Sequence, residues 1–199
     1  MSIETVKASL AEADSALNAL RENTEVLGRV AAAGEALCKC LQAEGRIFSC
    51  GNGGSMCDAM HFAEELSGRF RMDRPAFAAT AISDPSHLTC AGNDYGFEAV
   101  FSRYVEANGK SGDALIAIST SGTSANIIKA AEAAKERGIT VISLTGKENS
   151  PLGDLADLDL CTPGGTRWSD RVQELHIKLI HILIEIVEAG MANAEAKAK

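Results

Sequence analysis

The chain has 199 residues, a formal net charge of −8, 46% apolar residues and 23% charged ones. That length and balance suit one globular domain with a sizeable core and exclude a disordered chain. The acidic balance argues against general nucleic-acid binding, which needs a basic footprint, but leaves room for a local pocket that takes a phosphorylated small molecule.

Residues 3–43 are rich in Ala, Leu, Glu and Lys, with apolar positions at helical spacing. They predict two helices or one bent helix ahead of an α/β core at about 46–190. The opening MSIETVKASL has no basic stretch followed by a long apolar one, so no secretory signal is expected. Gly45 ends this region, and Arg46–Cys50 reads as the first strand. It runs into Gly51-Asn52-Gly53-Gly54-Ser55, and a helix is expected from Ser55, whose hydroxyl suits an N-cap, to about Arg69. Four further apolar runs, 77–82, 114–119, 140–145 and 158–162, read as strands. Helical stretches are expected at 97–108, 124–137 and 151–156, and the segment 83–94 is expected to be a loop. A long helix over 169–190 follows. Its apolar run carries His176, Lys178, His181, Glu185 and Glu188, which marks a buried helix and not a membrane span. The six cysteines, at 38, 40, 50, 57, 90 and 161, form no CxxC pair and read as reduced thiols of a cytoplasmic protein.

Short strands alternating with helices predict a single α/β domain: a parallel sheet with helices on both faces, and ligands beyond the carboxyl ends of the strands. The clearest chemistry at such an end is Ser119-Thr120-Ser121-Gly122-Thr123-Ser124, with five hydroxyls in six residues between a strand and a helix. Backbone N–H groups and the helix dipole favour an anion there, and Ser or Thr can donate to phosphate oxygens. No Lys follows the glycine, so the loop is not a nucleoside-triphosphate P-loop. A plain helix cap is the competing explanation. The Gly51–Ser55 loop lacks the third glycine of a dinucleotide fingerprint, since residue 56 is Met. It allows close backbone approach to a ligand, and it also suits a simple tight turn.

His61 and Glu65 are four apart on one helix and share a face. Such a pair can hold a metal ion, and it equally makes a helix-surface ion pair. Gln173 and His181, eight apart on the last helix, lie within roughly 80° of each other around its axis. A histidine in so apolar a run needs a partner, whether in the core or in a site. His87 and His176 read as core histidines. Arg69, one turn beyond Glu65, can pair with an acid or a phosphate. Asn93 and Asp94, in the polar stretch Ala91–Gly96, suit sugar hydroxyls or an Asx turn.

Taken together, Ser49–Ser55 with Cys57–Leu66, Ala81–Asp84, Gly92–Phe97, Phe101–Arg103, Ile118–Gly122 and Asp170–His176 resemble the bacterial phosphoheptose isomerase (sedoheptulose 7-phosphate isomerase) family of the sugar isomerase (SIS) superfamily. The resemblance spans about residues 25–190. It implies a three-layer αβα sandwich around a five-stranded parallel sheet, flavodoxin-like in kind, with N-terminal helices, assembled as a homotetramer. It implies an aldose–ketose isomerase with Glu65 and His181 as acid–base pair and zinc held by His61, Glu65, Gln173 and His181. Ser119, Thr120, Ser121 and Ser124 would hold the phosphate; Asn52, Gly53, Gly54, Ser55, Arg69, Asn93, Asp94 and Gln173 would line the rest of the substrate site. The family's product feeds heptose synthesis for lipopolysaccharide. Two other roles are known for similar proteins: tetrameric adaptors for the bacterial replication initiator, and SIS domains that sense or convert other sugar phosphates. The loop 162–168 departs from the family pattern, while each implied ligand and acid–base position is kept.

Overall fold

The computed structural model describes residues 2–162 and 168–198, the last four by backbone only. Most of the divergent loop, residues 163–167, lies outside the described residues. The five apolar runs become β1 (Ile47–Gly51), β2 (Ala79–Ala81), β3 (Ala114–Ser119), β4 (Thr140–Thr145) and β5 (Leu158–Cys161). All pair in parallel, in the order β2-β1-β3-β4-β5. Strands β1, β3 and β4 read as unbroken apolar runs because both faces are covered.

Alternate side chains of one strand enter different layers. Ile47, Ile116, Ile118, Ile142 and Leu160 pack with α1 (Ser2–Glu22), α2 (Thr24–Gln42), α3 (Gly54–Ser67) and α8 (Ser169–Ala198). Phe48, Leu115, Ala117 and Val141 pack with α4 (Pro85–Tyr95), α5 (Ser102–Asn108), α6 (Ala125–Glu136) and α7 (Pro151–Leu155). The result is the expected three-layer sandwich. Its strand order reverses between β1 and β3, so the loops after Gly51 and Ser119 flank the switch point where ligands of such sheets bind. Among the described residues no helix is long and apolar enough to cross a membrane.

Several expectations need correction. Ser55 does not cap α3: the helix starts at Gly54, and Gly53 takes the cap position with φ +55°, a left-handed value that favours glycine. Ser55 is instead buried in the first turn, and a Cβ on Gly51 would meet its carbonyl oxygen at 2.4 Å. α3 stops at Ser67, so Arg69 lies exposed beyond the helix and not one turn along it. The segment 83–94 is not a loop but mostly helix α4. Asp84 caps it by accepting from the His87 N–H at 2.8 Å, and Pro85 occupies the first turn. Asn93 and Asp94 therefore sit in a last helical turn. The stretch 97–108 divides into a 3-10 turn, Phe97–Ala99, and α5. The strand expected over 77–82 shortens because the Phe77 N–H turns away to the Leu66 carbonyl, 3.0 Å off. The last helix runs on to Ala198.

Candidate active site

α3 follows β1 and lies against α8, and the two helices face each other with polar side chains at helical spacing: Asp58, His61 and Glu65 on α3, Gln173, His181 and Glu188 on α8. His61 and His181, 120 positions apart in the chain, bring their Nε2 atoms to 2.9 Å, with rings 5.1 Å apart and steeply tilted. The Glu65 carboxylate lies 3.7 Å from the same His61 nitrogen, and Glu64 takes the other side of the ring at 3.2 Å from Nδ1. Glu64 beside Nδ1 favours the tautomer that carries its proton there, which turns the Nε2 lone pair toward His181. Phe70 stacks on His181 at 5.7 Å and closes one side. Burial pushes the His181 pKa down, and the neighbouring His61 pushes it further, while Glu65 pulls the other way. These surroundings favour the neutral ring, which carries one donor and one acceptor nitrogen.

This donor set fits a zinc-type ion. His61, Glu64 and Glu65 each offer a ligand atom within 4.8 Å of the others. An ion bonded to both imidazoles would hold their nitrogens roughly 3.3 Å apart, close to the separation seen. Glu64 on the far nitrogen of His61 is the kind of outer carboxylate that fixes the orientation of a ligating histidine. Gln173 belongs to a neighbouring contact: its Nε2 donates to both oxygens of the buried Asp58, at 2.9 and 3.1 Å. Burial raises the Asp58 pKa, opposed by the Gln173 hydrogen bond and by His61. The Gln173 amide also lies where a Cβ on Gly54 would touch it, at 3.4 Å.

The glycine loop and the hydroxyl loop are tied together by a reciprocal amide pair. Asn52 donates to Asn126 at 2.9 Å and Asn126 returns the bond at 2.8 Å. In the hydroxyl loop the buried Ser119 donates to Ser124 Oγ at 3.1 Å, while Ser121 Oγ accepts from Thr123 through both its N–H and its hydroxyl. Ser124 stands at the start of α6 without using its side chain as a cap. Its proton stays available to an anion in front of the helix, while the Ser121 hydroxyl also lies 3.4 Å from Ser119 Oγ. Thr120 is half-buried, and its carbonyl accepts from the Gly146 N–H.

The structure thus brings together His61, Glu65 and His181, sets Gln173 against Gly54, and joins Asn52 to the loop of Ser119, Ser121 and Ser124. Arg69 is exposed past α3. Asn93 and Asp94 are exposed on α4, bonded to each other at 2.8 Å. Sequence reasoning passed over Asp58, Phe70 and Asn126, and read Glu64 as a solvated charge of the helix face. Asp58 had a signal, since it lies three residues before His61 on the face that carries Glu65; Phe70 and Asn126 had none beyond their neighbours.

Comparison with known proteins identifies the family and the fold. A family model for the SIS domain matches residues 10–146. The chain is similar to the phosphoheptose isomerase of Aeromonas hydrophila, with 53% identity over 190 residues, 96% of this chain and 98% of that one. Among solved structures, the phosphoheptose isomerase of Neisseria gonorrhoeae superposes with a TM-score of 0.88 at 40% identity, over 95% of this chain and all of the other. That of Francisella tularensis gives 0.88 at 32% identity, over 94% and 98%.

Proposed function

The chain belongs to the phosphoheptose isomerases of the SIS-domain family, and from that premise we propose that it converts D-sedoheptulose 7-phosphate to D-glycero-D-manno-heptose 7-phosphate through an enediol or enediolate. One observation carries the assignment of the chemistry: His61 of α3 meets His181, 120 positions away on α8, at 2.9 Å, with the Glu65 carboxylate 3.7 Å from the same His61 nitrogen.

The substrate reacts as its open chain. Ser119, Thr120, Ser121 and Ser124 hold the phosphate in front of α6, which orients the far end of the molecule without touching the reacting carbons. Asn52, Gly53, Gly54 and Ser55, with Arg69, Asn93, Asp94 and Gln173, are the proposed contacts to the sugar. Glu65 takes a proton from C1 and returns it to C2. His181 gives a proton to the oxygen on C2 and accepts the one leaving the oxygen on C1, so the carbonyl moves from C2 to C1 with no net gain or loss of protons. Phe70 keeps water from one face of His181. His61, Glu65 and His181, with Gln173 as the fourth proposed ligand, would hold zinc, which when bound supplies positive charge beside the substrate oxygens.

The same reading includes a cytoplasmic homotetramer whose product enters heptose synthesis for lipopolysaccharide. The intact acid–base cluster favours an enzyme over an initiator-binding adaptor. Incubation with sedoheptulose 7-phosphate, before and after chelation, followed by NMR, tests the proposal. The aldose heptose 7-phosphate is expected, with turnover falling on chelation and returning with zinc. No conversion by the metal-loaded protein would overturn the reaction; full turnover after complete metal removal would overturn the zinc assignment alone.

A further inference from the structure

Beyond α3 the chain folds back over α8, and one side chain organises the turn. Arg74 is almost fully buried, with 9% of its side chain exposed, and it pairs with Glu188 of α8, itself 6% exposed. Its Nε donates to Glu188 at 3.0 Å. One terminal nitrogen donates to the Glu65 carbonyl at 2.7 Å. The other serves the carbonyls of Leu66 at 2.8 Å, Gly68 at 3.1 Å and Pro75 at 3.2 Å. The guanidinium plane also covers the Phe77 ring at 4.3 Å. The second oxygen of Glu188 accepts the Arg71 N–H at 3.3 Å, and the Arg71 side chain pairs with Glu185 at 2.6 Å.

These contacts do more than cap a helix. The last carbonyls of α3 have no partner within the helix, and here they are satisfied by a group anchored to the helix that carries His181. The Glu65 backbone is therefore tied through one guanidinium to a carboxylate two turns beyond His181. Within the same turn, Phe70 is held against the His181 ring. A planar fork with five donors can make these bonds at once, whereas an ammonium group cannot.

We infer that Arg74, clamped by Glu188, is a positioning residue: it fixes the Glu65 carboxylate and the Phe70 ring relative to His181. The inference rests on the reading of Glu65 and His181 as the acid–base pair. Arg74 does not touch the phosphate loop, which lies across the switch point after β3. Its loss should therefore degrade the geometry of proton transfer and leave phosphate anchoring alone.

The test is a split between kcat and KM in the full-length protein. Arg74→Lys keeps the charge and loses the fork; Glu188→Gln keeps Arg74 and removes its counter-charge. Each is first checked for fold by circular dichroism and thermal melting. In the folded variants kcat should fall at least tenfold, since a misplacement of about 1 Å can cost on the order of 10²-fold. KM for sedoheptulose 7-phosphate should stay within about threefold. If Arg74→Lys does not fold, Glu188→Gln carries the test, and the apolar pair Arg74→Met with Glu188→Met stands behind it, because well-packed apolar residues can replace a buried ion pair. A folded variant with kcat near the parent value, or with losses only in KM, overturns the inference. Glu65→Gln is run alongside: full turnover there would sink the acid–base reading itself, whatever the Arg74 variants do.

Discussion

His176 and His181 sit five residues apart on α8 and face different parts of the molecule. His176 points at the sheet, is fully buried, and bonds through Nε2 to the Thr145 carbonyl at 3.0 Å. Its Nδ1 is buried and makes no hydrogen bond. Burial pushes its pKa down to about 4. His181 points at α3, keeps part of its ring accessible, and meets His61, Phe70 and the Glu65 charge. Both imidazoles are disfavoured as cations, yet only His181 has other titratable groups around it. What separates a core histidine from a reactive one is the helix face it occupies, because that face decides whether its neighbours are backbone carbonyls or other titratable groups.

The strongest way to break this contrast is to remove chemistry from one face and volume from the other. Glu65→Gln should cost about 10²–10⁴ in kcat while the melting temperature stays near that of the parent. His176→Gln should do the reverse, lowering the melting temperature while the folded fraction keeps kcat within a few-fold. Loss of turnover in a stable His176→Gln protein would show that the sheet-facing histidine also belongs to the reaction.

Acid titration comes next in size. Because the His176 pKa is depressed in the native state, the unfolded chain binds its proton first as pH falls below about 6.5. The stability due to a neutral His176 is fully present above that pH. It is lost progressively down to about pH 4, by roughly 3 kcal/mol. Denaturant midpoints measured from pH 7 to pH 4 should decline more steeply for the parent than for His176→Gln. Equal slopes would mean that other groups carry the acid sensitivity.

The same contrast explains what could be read from the sequence. The sheet was legible because strands covered on both faces are written as unbroken apolar runs, as in Ala114–Ser119, and the hydroxyl loop because its residues are contiguous. His61 and Glu65 were visible as a spaced pair. Their union with His181 could not be read from spacing, since 120 positions separate the two imidazoles and spacing on one helix says nothing about a partner on another; only the family resemblance implied it. Arg74 was illegible for the same reason, with Glu188 114 positions away. α4 is a different case. Asp84-Pro85 is a helix-start signal carried in the sequence, and the polar stretch that follows masked it.

The hydroxyl loop offers a second contrast, between residues that hold shape and residues proposed to hold the ligand. Gly122 has φ +66°, and a Cβ there would lie 2.3 Å from Ser150 Cβ. Gly122→Ala should lose roughly 2 kcal/mol of stability from left-handed strain and the clash together, read from a denaturant melt. A neutral outcome would mean that the α7 end of the loop shifts at no cost.

Ser124→Ala should have the smallest effect, and it separates anchoring from chemistry. Ser124 accepts the Ser119 proton and caps nothing, so its removal leaves α6 as it is and frees one buried hydroxyl to turn toward the ligand. The loss is then one donor to a phosphate that other hydroxyls and backbone N–H groups still hold, about 1 kcal/mol, or roughly fivefold in KM. The phosphate does not change charge during isomerisation. Its contacts are therefore equal in ground and transition states and should leave kcat alone. Steady-state kinetics with saturating substrate would show this. A fall in kcat larger than the rise in KM would mean that the loop steers the reacting carbons as well as the phosphate, and the line between the two regions would have to be redrawn.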